Sequence, residues 1–397
     1  MEWKEVTIGE TCSRLSSGKA ISASNIKEQG DYPVYGGNGI RGFTDAYNFD
    51  GECAIIGRQG AACGNVRYFS GKAYMTEHAV VAVPTEEHNA YYLSCVLASL
   101  KLGRLSGQSA QPGIGVGLIG RQSISLPSLA TQQAIASILS SLDEKIETNR
   151  KICANLEAQA QALFKHWFID FAPFKDGKFV DSELGRIPEG WRVGTYSDII
   201  QETISGDWGK ENNEGNYSHK VACIRGCDFQ DIKMGLRGKT PERYILEKNF
   251  QSKHFEDKDI LVEISGGTAT VSTGRVCPIS QLLIDRYNGD IVCTNFCRLV
   301  RPRKGYSSYL YYSWKYKYDH KVMFGYENGT SGIKNFSIKD FTAREQLILP
   351  NLSALYEFET LIEHIHSQIQ NYGSESSRLS TLRDTLLPKL MSGQIKV

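Results

Sequence analysis

Residues Ile135–Trp167 read IASILSSLDEKIETNRKICANLEAQAQALFKHW. A seam steps through this stretch by four and three without a break: Ile135, Leu139, Leu142, Ile146, Asn149, Cys153, Leu156, Ala160, Leu163, Trp167. That is a heptad repeat, the pattern of a helix that pairs with another helix. A second, weaker seam lies near the C-terminus: Leu355, Phe358, Ile362, Ile365, Ile369, Tyr372, Ser376, Leu379, Arg383, Leu386, Leu390. Gly373, Ser376 and Arg383 interrupt it, and Pro388 is read as its end. The two helices are expected to pair with each other, Asn149 fixing the register at some cost in stability. About 38 residues at ~1.5 Å each make a rod of ~57 Å. Removing one heptad from it is expected to change the distance the rod spans.

Outward from the helices, the chain repeats itself. Trp3-Lys4-Glu5-Val6 is echoed by Trp191-Arg192-Val193, Gly64-Asn65-Val66 by Gly274-Arg275-Val276, and Thr76…Pro84 by Thr294…Pro302. Ile124-Ser125-Leu126-Pro127 is echoed by Ile348-Leu349-Pro350. The order is kept while the offset grows, as in two copies of one domain with insertions in the second. Short β-like runs and Gly-rich turns fill each copy, with one helix at matching places, Ala90 to Leu100 and Tyr309 to Tyr318. The fold class is α+β: two domains, 1–129 and 191–350, separated by two long helices, 130–172 and 351–397. A linker covers 173–190. If the helices run antiparallel, a pseudo-two-fold axis relates the halves.

Length and composition set bounds. The 397 residues allow two or three domains, and 41% hydrophobic with 22% charged residues is ordinary globular material. No apolar run approaches the ~18 residues of a membrane helix. Ten cysteines at irregular spacing, after an N-terminus with no apolar core, suggest reduced thiols and a cytoplasmic location. Forty-five basic against 44 acidic residues leave a net charge of +1. The balance holds locally, 11 against 11 in residues 1–129 and 24 against 22 in 181–350. Tight nucleic-acid binding by this chain alone is not expected, because phosphate neutralisation dominates that affinity.

Several segments resemble the specificity subunits of type I restriction–modification systems. They are Tyr32-Pro-Val-Tyr-Gly-Gly-Asn-Gly-Ile-Arg-Gly-Phe43 with Ala54-Ile-Ile-Gly-Arg-Gln-Gly60; Gln111-Pro-Gly-Ile114 leading to Ile124-Ser-Leu-Pro127 and Gln132-Gln133; Ala162-Leu-Phe-Lys-His-Trp-Phe-Ile-Asp-Phe171 with Gly185-Arg-Ile-Pro-Glu-Gly-Trp191; and Leu382-Arg-Asp-Thr-Leu-Leu-Pro-Lys-Leu-Met-Ser-Gly-Gln-Ile395. They span the chain in the family's order. The resemblance implies that each domain is a target-recognition domain reading half of a split sequence in double-stranded DNA. It implies that the helices are a spacer that binds two methyltransferase (modification) subunits, and that restriction/translocase subunits join them. S-adenosylmethionine, ATP and Mg are then expected in those partners, with no cofactor, no metal and no catalytic residue in this chain. The sequence departs from the family at Thr131-Gln132 and Ala354-Leu355, where Glu-Gln is usual.

Other motifs weigh little. Gly115-Val-Gly-Leu-Ile-Gly120 matches a dinucleotide fingerprint, but it follows a polar loop and precedes a strand, so it reads as a turn. Gly238-Lys239-Thr240 lacks the first glycine of a P-loop, which falls on Lys233. No Pro-Pro pair offers an adenine-methyltransferase signature. Cys223/Cys227 and Cys293/Cys297 have spacing a zinc site would accept, yet they sit in strand-like runs where buried free cysteine is common. His364 and His366 are read as solvated on the helix. The basic-aromatic run Arg301 to Lys321 is read as core aromatics with a basic outer face.

Arg and Lys suit guanine edges, Asn and Gln suit adenine, and Thr serves either. The candidate readers are therefore polar and basic residues in the Gly-rich loops. In the first copy these are Asn38, Arg41, Arg58, Gln59, Gln108 and Gln111. In the second they are Arg225, Thr268, Thr270, Arg275, Asn328, Thr330, Lys334 and Asn335. A coiled-coil scaffold that never reads DNA, and a stand-alone nucleic-acid enzyme without a recognised motif, stay open as alternatives.

Overall fold

The structure, a computed structural model, describes residues 3–107, 112–268, 270–329 and 334–397. It divides into two compact units, residues 1–145 with 379–397, and residues 146–378.

The first unit is built on a six-stranded sheet. Its order is Cys12–Ser17, Ala79–Pro84, Phe49–Gly57, Val66–Met75, Tyr32–Gly36, Gly39–Thr44. The helix Ala90–Ser99 covers one face, burying Tyr92, Leu93 and Leu97 against Ala54, Ile56, Val80 and Ala82. The edge pair Lys4–Thr7 with Ser123–Leu126 closes the domain. Between them a capping box, Thr7 with Glu10, starts a one-turn helix. Ile135, Leu139 and Leu390 join the same core, so the two long helices meet here end to start.

The second unit repeats the plan. A four-stranded sheet runs Ile200–Ser205, Cys297–Pro302, Ile260–Glu263, Val276–Pro278, matching the first four strands of the other copy. The edge pair is Arg192–Thr195 with Gln346–Leu349, and the capping box is Thr195 with Asp198. The covering helix is Ser307–Asp319, with Tyr309, Leu310, Tyr311, Tyr312 and Trp314 all buried, as expected for core aromatics. A parallel pair recurs too: Tyr35 lies beside Met75 in one copy and Ile224 beside Cys293 in the other. The duplication is thus a duplication of register, which makes residue-by-residue comparison of the copies possible. The 173–190 linker holds a hairpin, Phe179–Ser182 with Gly185–Pro188.

The long helices are Leu129–Phe164 and Leu352–Met391. The heptad seam is their buried stripe: Ile135, Leu139, Asn149, Leu355, Phe358, Ile362 and Ile369 are nearly water-free. Leu142, Ile146, Leu156, Leu163, Trp167, Ile365, Leu379 and Leu386 are half-buried. Within the second unit the pairing is antiparallel. Ala160 and Phe164 share a cluster with Phe358 and Ile362, and Asn149 meets the later Glu375 and Ser376, at 2.7 and 3.3 Å from its Nδ2. The interruptions in the C-terminal seam turn out to be contacts. Ser376 meets Asn149, Arg383 holds Asp143 at 2.6 Å, and Gly373 admits the backbone of Gly235.

Three expectations need correction. The α-helix ends at Phe164 and a π-helical turn follows at Lys165–Ile169. Phe164 and Phe168, rather than Leu163 and Trp167, lie deepest in the core, the wider turn following directly on Phe164. Pro388 does not end the second helix, which runs to Met391. Leu386, Leu387, Leu390 and Met391 pack into the first unit's core and offset the one backbone bond that an exposed proline forfeits. Gly115–Gly120 forms a five-residue helix, Val116–Gly120, whose last glycine packs on Gly9, rather than a free turn. Among the described residues no helix is long and apolar enough to cross a membrane.

Candidate nucleic-acid interface

In the first copy, strand Phe49–Gly57 runs out into a turn that three other segments hold. Arg58 N donates to His78 O at 2.9 Å, Gly60 N to Pro112 O at 2.9 Å, and Ile114 N to Arg58 O at 3.0 Å. The Gly37 backbone closes on the same point, its Cβ position 3.2 Å from both Gln59 O and His78 O. The result is a cleft of about 450 Å³ lined by Asn38, Arg41, Gln59, His78 and the Pro112-Gly113 wall. The Arg41 side chain lies across Gly36, where a Cβ would meet its Cδ at 2.6 Å, so the glycine there makes room for the cation. Arg67 Nη2 reaches Asn38 O at 3.2 Å and fixes the rim.

The charges of this cleft are available. Arg41 has no ion pair among the described residues, and Arg58 makes one long bond, Nη1 to Ser17 Oγ at 3.4 Å. Of the cleft's lining residues none is acidic, and the carboxylate beside them, Glu77, lies 3.3 Å from His78 and not on either arginine. Beside the cleft is a second recess, about 540 Å³, lined by Arg67, Lys101 and Arg104. It exists because Gly64 packs backbone to backbone on Gly103, a Cβ there falling 2.0 Å from Gly103 N. Guanidinium and ammonium groups without ion pairs among the described residues, gathered on one face, suit phosphate and guanine edges.

The same junction recurs in the second copy. Ile264 N donates to Phe296 O at 2.9 Å, as Arg58 does to His78, and Phe336 N donates to Ile264 O at 2.8 Å, as Ile114 does to Arg58. Gly226 takes the place of Gly37, and Thr294-Asn295-Phe296 that of Thr76-Glu77-His78. A cleft of about 360 Å³ opens there, lined by Trp208, Arg225, Cys227, Glu263, Ser265 and Phe296. Its chemistry differs. Arg225 is clamped by Asp228, at 3.1 and 3.2 Å, and by Lys239 O at 2.8 Å. Arg275 forks onto Glu263 at 2.7 and 2.6 Å. Each carboxylate bond holds its guanidinium above the ordinary arginine range. Phe296 stands out at 64% exposure.

The sequence candidates therefore divide. Asn38, Arg41, Arg58 and Gln59 come together in and beside the first cleft. Arg225 lines the second cleft, and Arg275 stands behind it, salt-bridged to its lining residue Glu263. Lys334 and Asn335 form a small ribbon with Asn328 and Ser265-Gly266, on the second cleft's wall. Lys334 is tied to Glu327 at 2.9 Å. Thr268 and Thr270 occupy an exposed turn, where Thr268 Oγ1 caps Val271 N at 3.0 Å. Gln108, Gln111 and Thr330 lie outside the described residues. His78, Phe296 and Trp208 were missed, although the Thr76/Thr294 echo already placed His78 and Phe296 in register.

Of the histidines and cysteines singled out in the sequence, Cys227 lines the second cleft and the others sit elsewhere. His364 is exposed, but His366 is not solvated as expected. It is half-buried beside Tyr311 and Tyr312, with Tyr312 Oη 2.8 Å from its Nε2, and loss of water lowers its pKa to about 4. Cys223, Cys293 and Cys297 are buried in or beside strands, and burial raises their thiols; Cys227 is exposed.

Comparison with known proteins follows the same lines. Residues 1–158 match the family model described as type I restriction modification DNA specificity domain. The specificity subunit of the type I restriction enzyme EcoprrI from Escherichia coli is 41% identical over 147 residues, 36% of either chain. That of MjaIX from Methanocaldococcus jannaschii is 27% identical over 318 residues, 78% of this chain and 69% of the relative. The crystal structure of a type I restriction–modification S subunit from M. genitalium superposes with a TM-score of 0.56 over 98% of this chain and 96% of the other, at 18% identity. The fold is shared across that distance.

Proposed function

We propose that the chain is a specificity subunit of a type I restriction–modification system, like the proteins it resembles, and that it reads a two-part sequence in double-stranded DNA, one part at each cleft. The observation that carries this is the recurrence of one cleft, at one backbone junction, with different side chains in the two copies. A conserved frame with changed lining is what two readers of different half-sites require. Base edges distinguish partners by donor, acceptor and methyl pattern, so lining chemistry sets the sequence read.

The first copy supplies Arg41, Arg58, Asn38 and Gln59 for hydrogen bonds to bases and phosphates. Arg67, Lys101 and Arg104 extend the positive face along the backbone. The chain's overall neutrality leaves further charge to come from two methyltransferase subunits held by the long helices, and from restriction/translocase subunits beyond them. In this reading the chain performs no chemistry. S-adenosylmethionine, ATP and Mg belong to the partners, and the complex works in the cytoplasm.

The test is to map methylated adenines in the host genome with and without this gene. Loss of a single two-part motif with a fixed gap is the expected result. An unchanged methylation pattern in a host whose methyltransferase co-purifies with this chain overturns the reading.

A further inference from the structure

We infer that the second copy's cleft recognises the C5-methyl group of a thymine, with Phe296 as the residue that contacts it and Trp208 as the wall behind. This rests on the DNA-reading function proposed above.

Four observations converge. First, Phe296 occupies the place of His78, on the rim of a cleft that recurs in both copies, so its position belongs to the reading frame of the domain. Second, its backbone is pinned. Its carbonyl accepts from Ile264 N at 2.9 Å, its N–H donates to Thr294 Oγ1 at 3.3 Å, and Cys297 N bonds Thr294 O at 2.9 Å. A large apolar ring is thereby held out into water at 64% exposure. Third, the charged groups around it are already satisfied: Arg225 by Asp228, and Glu263 by Arg275. They offer the cleft little unpaired charge for reading guanine or phosphate. Fourth, Trp208 is stiffened from one side by the Arg243 guanidinium, 3.9 Å from its ring centre.

A rigid apolar rim needs an apolar counterpart to cover it. On a duplex the major groove offers one at a base edge, the thymine methyl. Removing that methyl leaves the hydrogen-bonding pattern of the base intact, which makes the proposal separable from polar readout.

The experiment uses the assembled complex of this chain with its methyltransferase subunits. Each thymine of both half-sites is replaced in turn by deoxyuridine, and the dissociation constant is measured at fixed salt. One methyl group is worth about fourfold. The expected result is a loss near that size at one position, or two adjacent ones, in one half-site. F296A should bind thymine and deoxyuridine alike there, and F296L should keep part of the discrimination. Phe296 is exposed, so neither variant opens a core cavity. The proposal is overturned if every deoxyuridine duplex binds like its thymine parent, if F296A keeps the discrimination, or if neither half-site contains a thymine on either strand. Failure of the wild-type complex to bind any two-part sequence overturns the underlying function instead.

Discussion

Arg275 and Arg58 looked alike in sequence, both arginines in Gly-rich loops. The structure gives them opposite surroundings, one ion-paired and one not, and Arg275→Ala against Arg58→Ala exposes the difference. The Arg275 guanidinium makes two charge-assisted bonds, 2.7 and 2.6 Å, to Glu263, whose side chain is 9% exposed. Removing the arginine leaves that carboxylate nearly dry and unpaired. Breaking a fully buried pair costs about 3–5 kcal/mol. Arg275 is itself 39% open to water, so a discounted ~2–3 kcal/mol is appropriate. A unit of this size shifts by roughly 2–4 °C per kcal/mol, giving a fall of about 4–12 °C in the unfolding temperature. Arg58 has one 3.4 Å bond to Ser17, and its loss should stay within about 0.5 kcal/mol. The assay is thermal unfolding of each purified variant, paired with methylation of duplexes altered in one half-site at a time. Arg58→Ala should leave the unfolding temperature in place while relaxing one half-site and leaving the other intact. Glu263→Gln added to Arg275→Ala should recover part of the stability, because the orphaned charge is gone. The reasoning is refuted if Arg275→Ala keeps its unfolding temperature while changing half-site preference. It is equally refuted if Arg58→Ala destabilises as strongly as Arg275→Ala.

Two further outcomes follow from the second unit. His366 has a folded pKa near 4, below the ~6.5 of the unfolded chain. The unfolded state therefore binds the extra proton first, and this contribution to stability is present above pH 6.5 and lost as pH falls toward 4. The loss relative to His366→Gln should reach about 1–2 kcal/mol by pH 5, read as a pH-dependent gap between the two unfolding curves; parallel curves from pH 7 to pH 5 would exclude it. Gly373→Ala should destabilise although alanine is the better helix former by about 1 kcal/mol. Its Cβ would fall 2.2 Å from Gly235 O and 2.4 Å from Met234 O, both backbone atoms. Overpacking of about 1–3 kcal/mol outweighs the propensity gain, so urea unfolding should show a lower midpoint; a raised midpoint would mean that the 234–236 loop yields freely.

The architecture was legible because its signals are local or periodic. A seam stepping by four and three reports the buried stripe of a helix whatever it packs on, and Ile135, Leu139, Phe358 and Ile362 are buried accordingly. The duplication was legible because strand ends and edge pairs demand similar residues at similar order, as Thr7 and Thr195 show with their matching caps. Asn38, Arg41 and Gln59, which line the first cleft, and Arg58 beside it could be picked out because residue type alone marks them as polar loop positions.

Composition could not tell which of these charges are spent. Whether Arg275 is free depends on antiparallel pairing that brings it beside Glu263, twelve positions earlier, and whether His366 is wet depends on Tyr311 and Tyr312 more than fifty residues away. Pro388 and the turn at Lys165–Ile169 are of the same kind, since packing of Leu390 and Phe168 overrides the local rule for where a helix stops. Phe296 shows the limit most plainly. Its sequence neighbourhood reads as an ordinary strand entrance, and only the recurrence of the 58–78 hydrogen bond at 264–296 puts it on the rim of the second cleft. Sequence determined that two domains of one kind stand with two paired helices, because apolar periodicity is written along the chain. Tertiary structure decided which side chains are left to touch a ligand, because ion pairing and exposure are settled by residues that meet only after folding.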